Sequence, residues 1–397
     1  MRILPAEARR ITPCREHWFF GYYDIPAFDS GEKRHLALRV PFMDRLPEKD
    51  DCAKVFTIDL HTGQRTQIGE TFAWCFQQGC FAQWVPARAD IVLWNVRREG
   101  GCGYGAVLKN LATGEMHFLD RPAATVSPNG EYALSVNFDR MYDFRPGYGY
   151  AGQRDVWHDV NHPEEDGIWL TDLKTGKSRL ILSLQYLWDF TKSYFGKSDQ
   201  KVCVNHINFN TTGSRFVFLL RNFDSKNWKT GTLTANFDGS DLFLLSDYGY
   251  ASHYYWVDEN ILSIHSDGKE LGNLGHQLYE LKDLTHEGRA LDVDFFKSDG
   301  HVSYSPDREW VLYDSYPKAD GCRELYLYDL LRKRGGLLGR FKTIAHPTVE
   351  IRCDLHPVWA PSGQQISFDS VHEGFRGIYT MNLEKAKQVL RESDNEV

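Results

Sequence analysis

Four histidines hold one position in a repeating pattern. His206, His301 and His356 each stand six residues before a polar turn, at Thr212, Asp307 and Ser362, and His253 stands five before Asp258. Asp24 stands six before Ser30, in the segment GYYDIPAFDSG. If each segment is the innermost strand of a repeated sheet, four imidazoles and a carboxylate lie at one level around a common axis. Asp354 and Arg352 alternate with His356 and share its strand face. Imidazole mixed with carboxylate suits Zn, Mn or Fe-type ions, whereas all-oxygen ligation suits Ca or Mg. The bland alternative is that the rings satisfy one another and the backbone around a channel. Spacing alone does not select the ligands, because no H-x-H or H-E-x-x-H signature is present.

Two kinds of turn define the elements that would position these residues. One is a polar turn before a β-rich run, as in Ser127-Pro128-Asn129-Gly130 before YALSVNF and Ala360-Pro361-Ser362-Gly363 before QISFDSV. The other leaves a strand at Asp-Leu or Asn-Leu, as in Asp59–Gly63, Asn110–Gly114 and Asp172–Gly176, and ends at Asn382–Ala386. Gly and Asn there tolerate the positive φ that hairpins need. Each series counts seven, and the two alternate strictly. Two hairpins per period make four short strands, the pattern of propeller blades. The fold expected is all-β: a single seven-bladed β-propeller over residues 1–397, with four-stranded antiparallel blades. The N-terminal segment is expected to close the last blade, which avoids an open edge.

Two stretches interrupt the repeat. Residues 139–166 form a Gly-, Pro- and aromatic-rich loop inside the third blade, and residues 184–200 lie between the third and fourth blades and are helical in part. By alternation of the turns, both insertions rise from the face where the inner strands begin. Long insertions in a compact domain are commonly functional. The ends of the second strands bring Arg39, Asn95, Arg97, Arg140, Arg221, Asn222, Tyr316 and His372 to that face.

Composition narrows the function. Hydrophobic residues are 42% and charged residues 25%, ordinary for a globular protein. The net charge of −8 disfavours a general grip on nucleic acid or anionic lipid. An anionic small substrate requires that local Arg, His or a metal reverse the field. No apolar run approaches the ~20 residues that span a bilayer. The segment MRILPAEARRITPC lacks an apolar secretory core. These features predict a cytoplasmic protein. The eight cysteines, from Cys14 through Cys102 to Cys353, form no C-x-x-C pair and read as mostly small buried hydrophobes. The 14% aromatic content reads mainly as strand packing, with sugar stacking as the sharper alternative. There is no G-x-S-x-G elbow, Walker A motif or Rossmann fingerprint, and no organic cofactor is expected.

Several segments resemble the seven-bladed propeller lyases, namely oligogalacturonate lyases and the related ulvan and rhamnose–glucuronate lyases. They are FFGYYDIPAFD (19–29), QQGCFAQW (77–84), PGYGY (146–150), HINFNTTGSRFVFL (206–219), SHYYW (252–256), DGHVSYSPD (299–307) and RCDLHPVWAPSGQQISFDSVHEG (352–374). The resemblance runs from about Trp18 to Leu383. It implies a metal at the channel mouth held by His residues, including an H-x-H pair before a proline. Here that pair reads Asp354-Leu355-His356-Pro357, with Asp in place of one His, and His301 matches a further ligand position. The candidate metal set is His253, His301, Asp354 and His356, for a divalent Mn, Zn or Ca ion.

The implied chemistry is β-elimination on a uronic acid of an acidic oligosaccharide. A base removes the C5 proton and the C4–O bond breaks. The carboxylate must first be neutralised, by metal, Arg or protonated His. Arg140 or Arg221 are the expected neutralisers, and Tyr148, Tyr150 or His206 the base or acid. Asp24, Gln78, Arg97, Arg352 and His372 are expected to bind substrate. Two other readings stand beside this one. The first is a non-catalytic propeller that binds a carbohydrate or a protein. The second is a glycoside hydrolase, for which Asp24 and Asp354 are the only axial carboxylate pair and which is the weaker.

Overall fold

A computed structural model of the chain describes residues 1–98, 100, 103–196, 198–223, 228–268, 271 and 275–392. The strands form six four-stranded sheets and one five-stranded sheet, arranged as seven antiparallel blades. Cys102 lies outside the described residues. Of the other cysteines, Cys75, Cys80, Cys203 and Cys353 are buried thiols, as small hydrophobes should be, while Cys14 is exposed and Cys52 and Cys322 are intermediate.

Blade four shows the plan. Val202–Phe209 is the innermost strand and pairs with Arg215–Asn222, which pairs with Thr230–Asn236 and then Phe243–Gly249. Every residue of Arg215–Asn222 is buried, because a strand packed between neighbouring blades has no solvent face. The hairpin turns carry the predicted asparagines and glycines. Gly213 and Gly363 adopt φ of 76° and 68° at the ends of the inner strands, where only glycine is unstrained.

Closure follows the expectation and adds a detail. Arg9–Arg10 pairs antiparallel with Gly377–Asn382 and supplies the outermost strand of blade seven. The turn at Asn382–Ala386 therefore leads to no strand. It opens helix α3 (Glu384–Glu392), whose Leu390 and Ala386 pack on the cluster around Trp310 and Phe368. In blade six, Arg2–Ile3 adds a fifth, parallel strand beside Arg334–Lys342.

Each insertion carries a helix among the described residues. Helix α1 (Phe138–Phe144) is capped by Asn137, whose side chain accepts the Arg140 amide at 2.9 Å. Helix α2 (Leu184–Phe195) is capped by Ser183, which accepts from Tyr186 at 3.0 Å. Side-chain oxygens at these positions satisfy amides that a helix start leaves unpaired. No helix is long and apolar enough to cross a membrane among the described residues.

Candidate active site at the channel mouth

The innermost strands do not run straight past the histidine level. His206 and His356 adopt φ of 56° and 42°, and Phe81, the equivalent residue of blade two, adopts 53°. The ladder shifts register between Asn205 and Ile207, and again between Ala251 and Tyr254 around His253. Left-handed backbone at residues other than glycine costs of order 1–3 kcal/mol each, and such strain concentrates where a side chain must be aimed. Here the bulges turn the side chains toward the axis.

Blade one goes further. Its inner strand pairs only over His17–Phe19 and resumes at the bridge Phe28–His35. Residues 20–27 leave the sheet. The Phe20 amide donates to the buried Asp369 carboxylate at 3.1 Å. Tyr23 fixes the excursion by donating its hydroxyl to Tyr254 O at 2.6 Å and accepting the Tyr254 amide at 3.0 Å. Tyr22 stacks on His206 with centroids 5.1 Å apart and meets His356 edge-on at 4.7 Å. His301 packs 4.1 Å from His253 and 4.4 Å from His356, ring to ring.

Four histidines of adjacent blades thus converge on two tyrosines. Burial drives His206, His301 and His356 well below the ordinary histidine range, so they stand as neutral imidazoles. That is the form in which histidine binds a metal or accepts a proton. Tyr22, fully enclosed, is pushed well above the ordinary phenol range.

His301, Asp354 and His356 form a set whose ligand atoms all lie within 4.8 Å of one another. The Nε2 atoms of His301 and His356 are buried and without hydrogen-bond partners. Buried polar atoms are rarely left so, and two neutral imidazole nitrogens beside a carboxylate are a donor set for a divalent cation. His301 is oriented by Asp314, which lies 3.0 Å from its Nδ1 through each carboxylate oxygen. A carboxylate behind the imidazole is the usual outer partner of a metal-binding histidine. His253 is backed in the same way, its Nδ1 3.0 Å from Asp299, but it stands outside the three-residue set.

Asp354 also belongs to a cationic cluster. Arg323 pairs with one carboxylate oxygen, and Arg352 Nε lies 2.8 Å from the other. Burial opposes ionisation of Asp354, but Arg323, Arg352 and the neighbouring histidines hold its carboxyl well below the usual range. Arg352 reaches on to the Tyr148 hydroxyl at 3.1 Å, and the Arg145 guanidinium lies 4.3 Å over the Tyr148 ring. Arg145, Arg323, Arg352, Tyr316, His346 and Thr348 line an open cavity of about 460 Å³ on the face that bears the insertions. A chain of net charge −8 therefore presents three guanidiniums at one mouth of its channel.

Tyr148 joins this cavity to the histidines, meeting His206 edge-on at 5.4 Å. Gln78 lies 3.2 Å from His206 Nδ1. Arg221 sits nearby, buried, donating to Asn205 at 2.5 Å and to Ala251 O at 3.3 Å. Its Nε has no hydrogen-bond partner, and no carboxylate pairs with it among the described residues. Asp24 accepts from Asn208 at 3.0 Å and is pushed up to about 6 by burial. It lies deeper, between the His206 side and a cavity of about 350 Å³ at the opposite mouth.

Four of the residues expected at the site lie elsewhere. Arg140 spends every guanidinium N–H on the fold: Nε on Val202 O, Nη1 on Asp155 and Trp157 O, and Nη2 on Val160 O and Asn161 O. With its five donors used, it staples the third-blade insertion and has none left for a substrate. Tyr150 stacks on Phe138 at 4.5 Å, and its hydroxyl accepts from Asn95 at 2.8 Å. Arg97 lies over Phe72 at 4.7 Å. His372 bonds Ser370 at 2.8 Å and packs on Tyr379 between the outer strands. The residues missed were Tyr22, Tyr23, Arg145, Arg323 and His346. Only the GYYD excursion had a signal, since two tyrosines precede Asp24 on a strand too short to pair throughout.

No family model matches the chain, and no curated protein matches it in sequence. Solved structures do match in fold. An oligogalacturonate lyase in complex with manganese superposes with a TM-score of 0.68 at 17% identity, covering 97% of this chain and 95% of that one. An oligogalacturonate lyase from Vibrio parahaemolyticus gives 0.65 at 14% identity, covering 96% and 97%. A xyloglucanase from Xanthomonas campestris gives 0.55 at 14%, with 54% of that longer chain covered. The chain therefore shares the whole propeller of the oligogalacturonate lyases. At this identity the likeness is one of fold.

Proposed function

We propose that the protein is a lyase that cleaves uronic-acid-containing oligosaccharides by β-elimination at this channel mouth. The observation that carries the reading is the continuity of two features: the partnerless imidazole nitrogens of His301 and His356, and the guanidinium of Arg352, joined through Asp354, with Arg145 reached across Tyr148. A uronate presents a carboxylate one carbon from the proton to be removed. Arg145 and Arg352, paired on one side with Glu350 and Asp354, receive that carboxylate with their remaining N–H groups, and Arg221 is a further cation, so that the cost of charge developing next to C5 falls. His206, which faces Tyr148, accepts the C5 proton. The electron pair forms the C4–C5 double bond as the C4–O bond breaks. Tyr148, held by Arg352 through its oxygen, keeps its own O–H to donate to the departing oxygen.

His301, Asp354 and His356 would hold a divalent ion, with manganese the first candidate because a neighbour in fold carries it. When bound, such an ion supplies a Lewis acid for the substrate carboxylate. The substitution of Asp for His at 354 adds a negative charge to the set, which Arg323 and Arg352 offset.

The experiment is a panel of polygalacturonate, glucuronan, ulvan and rhamnose–glucuronate oligomers, followed by the ultraviolet absorbance of the unsaturated product, with manganese present. A rise with one class supports the reading. Ligand binding without any rise across the panel contradicts it and leaves a carbohydrate-binding propeller.

A further inference from the structure

A second cationic cavity lies beside the arginine cluster and serves no step of the chemistry above. It measures about 450 Å³ and is lined by Phe195 and Gly196 at the end of α2, Gln200, Lys201, Phe223 and Lys229. Two ammonium groups face it. Lys201 Nζ donates to His158 O at 2.9 Å and lies 3.9 Å from Asp143. Lys229 Nζ donates to Phe195 O at 3.0 Å. An ammonium carries three donors, so each lysine keeps N–H groups for a ligand. Phe223 lies between them as an apolar wall, with Lys201 Nζ 4.7 Å from its ring centroid.

The cavity connects to the arginines through an aromatic path. Phe223 packs on Phe144 at 4.9 Å, and Phe144 on Trp228 at 5.2 Å. Trp228 then lies 5.5 Å from the Arg145 guanidinium and 5.3 Å from that of Arg221. Trp228 is itself 46% exposed. The exposed Trp228, with Phe144 and Phe223 partly buried beside it, gives an apolar path between two cationic pockets; this suits a sugar chain, whose rings stack and whose carboxylates pair with the cations at each end.

We propose that this cavity is an accessory subsite for a second uronate carboxylate of the same oligosaccharide, so that the protein prefers chains longer than a dimer. The inference rests on the uronate reading of the neighbouring site. Its physical basis is effective concentration: once one carboxylate is held by Arg145 and Arg352, the second meets Lys201 and Lys229 as a tethered group. Salt weakens both contacts, the more exposed one first.

The test is stopped-flow quenching of tryptophan fluorescence by digalacturonate and by tetragalacturonate, read before turnover, in the wild type and in Lys229→Glu and Phe223→Leu. The wild type is expected to bind the tetramer roughly tenfold more tightly than the dimer, the effect of one added charge-assisted contact. In Lys229→Glu the ratio is expected to fall to about one. Lys229→Arg should restore it, which separates loss of the charge from loss of folding. Equal binding of dimer and tetramer by the wild type, or a ratio unchanged in Lys229→Glu, overturns the subsite while leaving the lyase reading intact. Chain-length-dependent binding without turnover on any uronate overturns the lyase reading and leaves the subsite. Binding of neither oligomer overturns both for galacturonates.

Discussion

The Nδ1 atom of His301 lies 3.0 Å from both carboxylate oxygens of Asp314, and the His301 amide donates to the same carboxylate at 2.7 Å. One acidic side chain on the second strand of blade six thus fixes both the backbone and the ring of the inner strand. The ring has one rotation left to it, with Nε2 toward the axis. Asp314→Asn keeps the size of the side chain but weakens that hold. It is expected to lower manganese affinity by 10- to 100-fold, the usual effect of losing an outer partner of a metal ligand. Calorimetric titration of manganese into the wild type and the variant measures this.

The arginines should separate into structural and functional kinds. Arg140→Met takes the ion-pair partner from the buried Asp155 and one donor from each of four carbonyls, those of Val202, Trp157, Val160 and Asn161. It is expected to cost about 3–5 kcal/mol of stability, read as a fall in Tm. Arg352→Lys keeps the charge but loses the fork that reaches Asp354 and Tyr148 together. Its Tm should stay close to that of the wild type while kcat/KM falls at least about a hundredfold.

The two tyrosines of the PGYGY segment should behave differently. Tyr148→Phe removes the hydroxyl that meets Arg352 and is expected to lower kcat by 10²- to 10⁴-fold, the range for loss of a positioned acid or base. Tyr150→Phe loses one bond to Asn95, so its effect should appear as about 1 kcal/mol of stability with kcat nearly unchanged. Steady-state kinetics and thermal unfolding of the pair decide the assignment.

That contrast also marks what the sequence could and could not disclose. The alternating turn series placed seven blades, and counting back from each turn placed His206, His301 and His356 at one level, because a strand has a fixed repeat and the turns set its register. The PGYGY loop has no such ruler. Nothing in its residues says that Tyr148 faces the axis and Tyr150 the neighbouring blade, since that depends on the Asn137 cap and on how Gly147 lies against Glu350. Arg140 misled for a related reason: its carbonyl partners at Val160, Asn161 and Val202 come from backbone, which carries no residue signature. Arg145 and Arg323 converge from blades three and six, a meeting that no local spacing encodes.

Stability should fall with rising pH through one buried carboxyl. Burial pushes Asp369 up to about 8, and its oxygens accept the Phe20 amide that starts the axial excursion. An unfolded aspartate titrates near 3.9. Between about 4 and about 8 the folded state therefore binds more protons than the unfolded state, and stability declines as pH rises through that window. The contribution is fully present below the unfolded value and lost above the folded one. Asp369→Asn keeps an acceptor for Phe20 and cannot ionise, so its unfolding free energy should decline less than that of the wild type over the same window. Denaturant unfolding at a series of pH values tests this, and parallel slopes in the two proteins would count against it.

The central claim is that the bond breaks by elimination. Its most direct test is cleavage of a uronate oligosaccharide in water enriched in heavy oxygen, with the products weighed by mass spectrometry. The account predicts that neither new end carries solvent oxygen and that one end bears a C4–C5 double bond, with cleavage abolished in Tyr148→Phe. One solvent oxygen per cleavage would mean hydrolysis, and would contradict it.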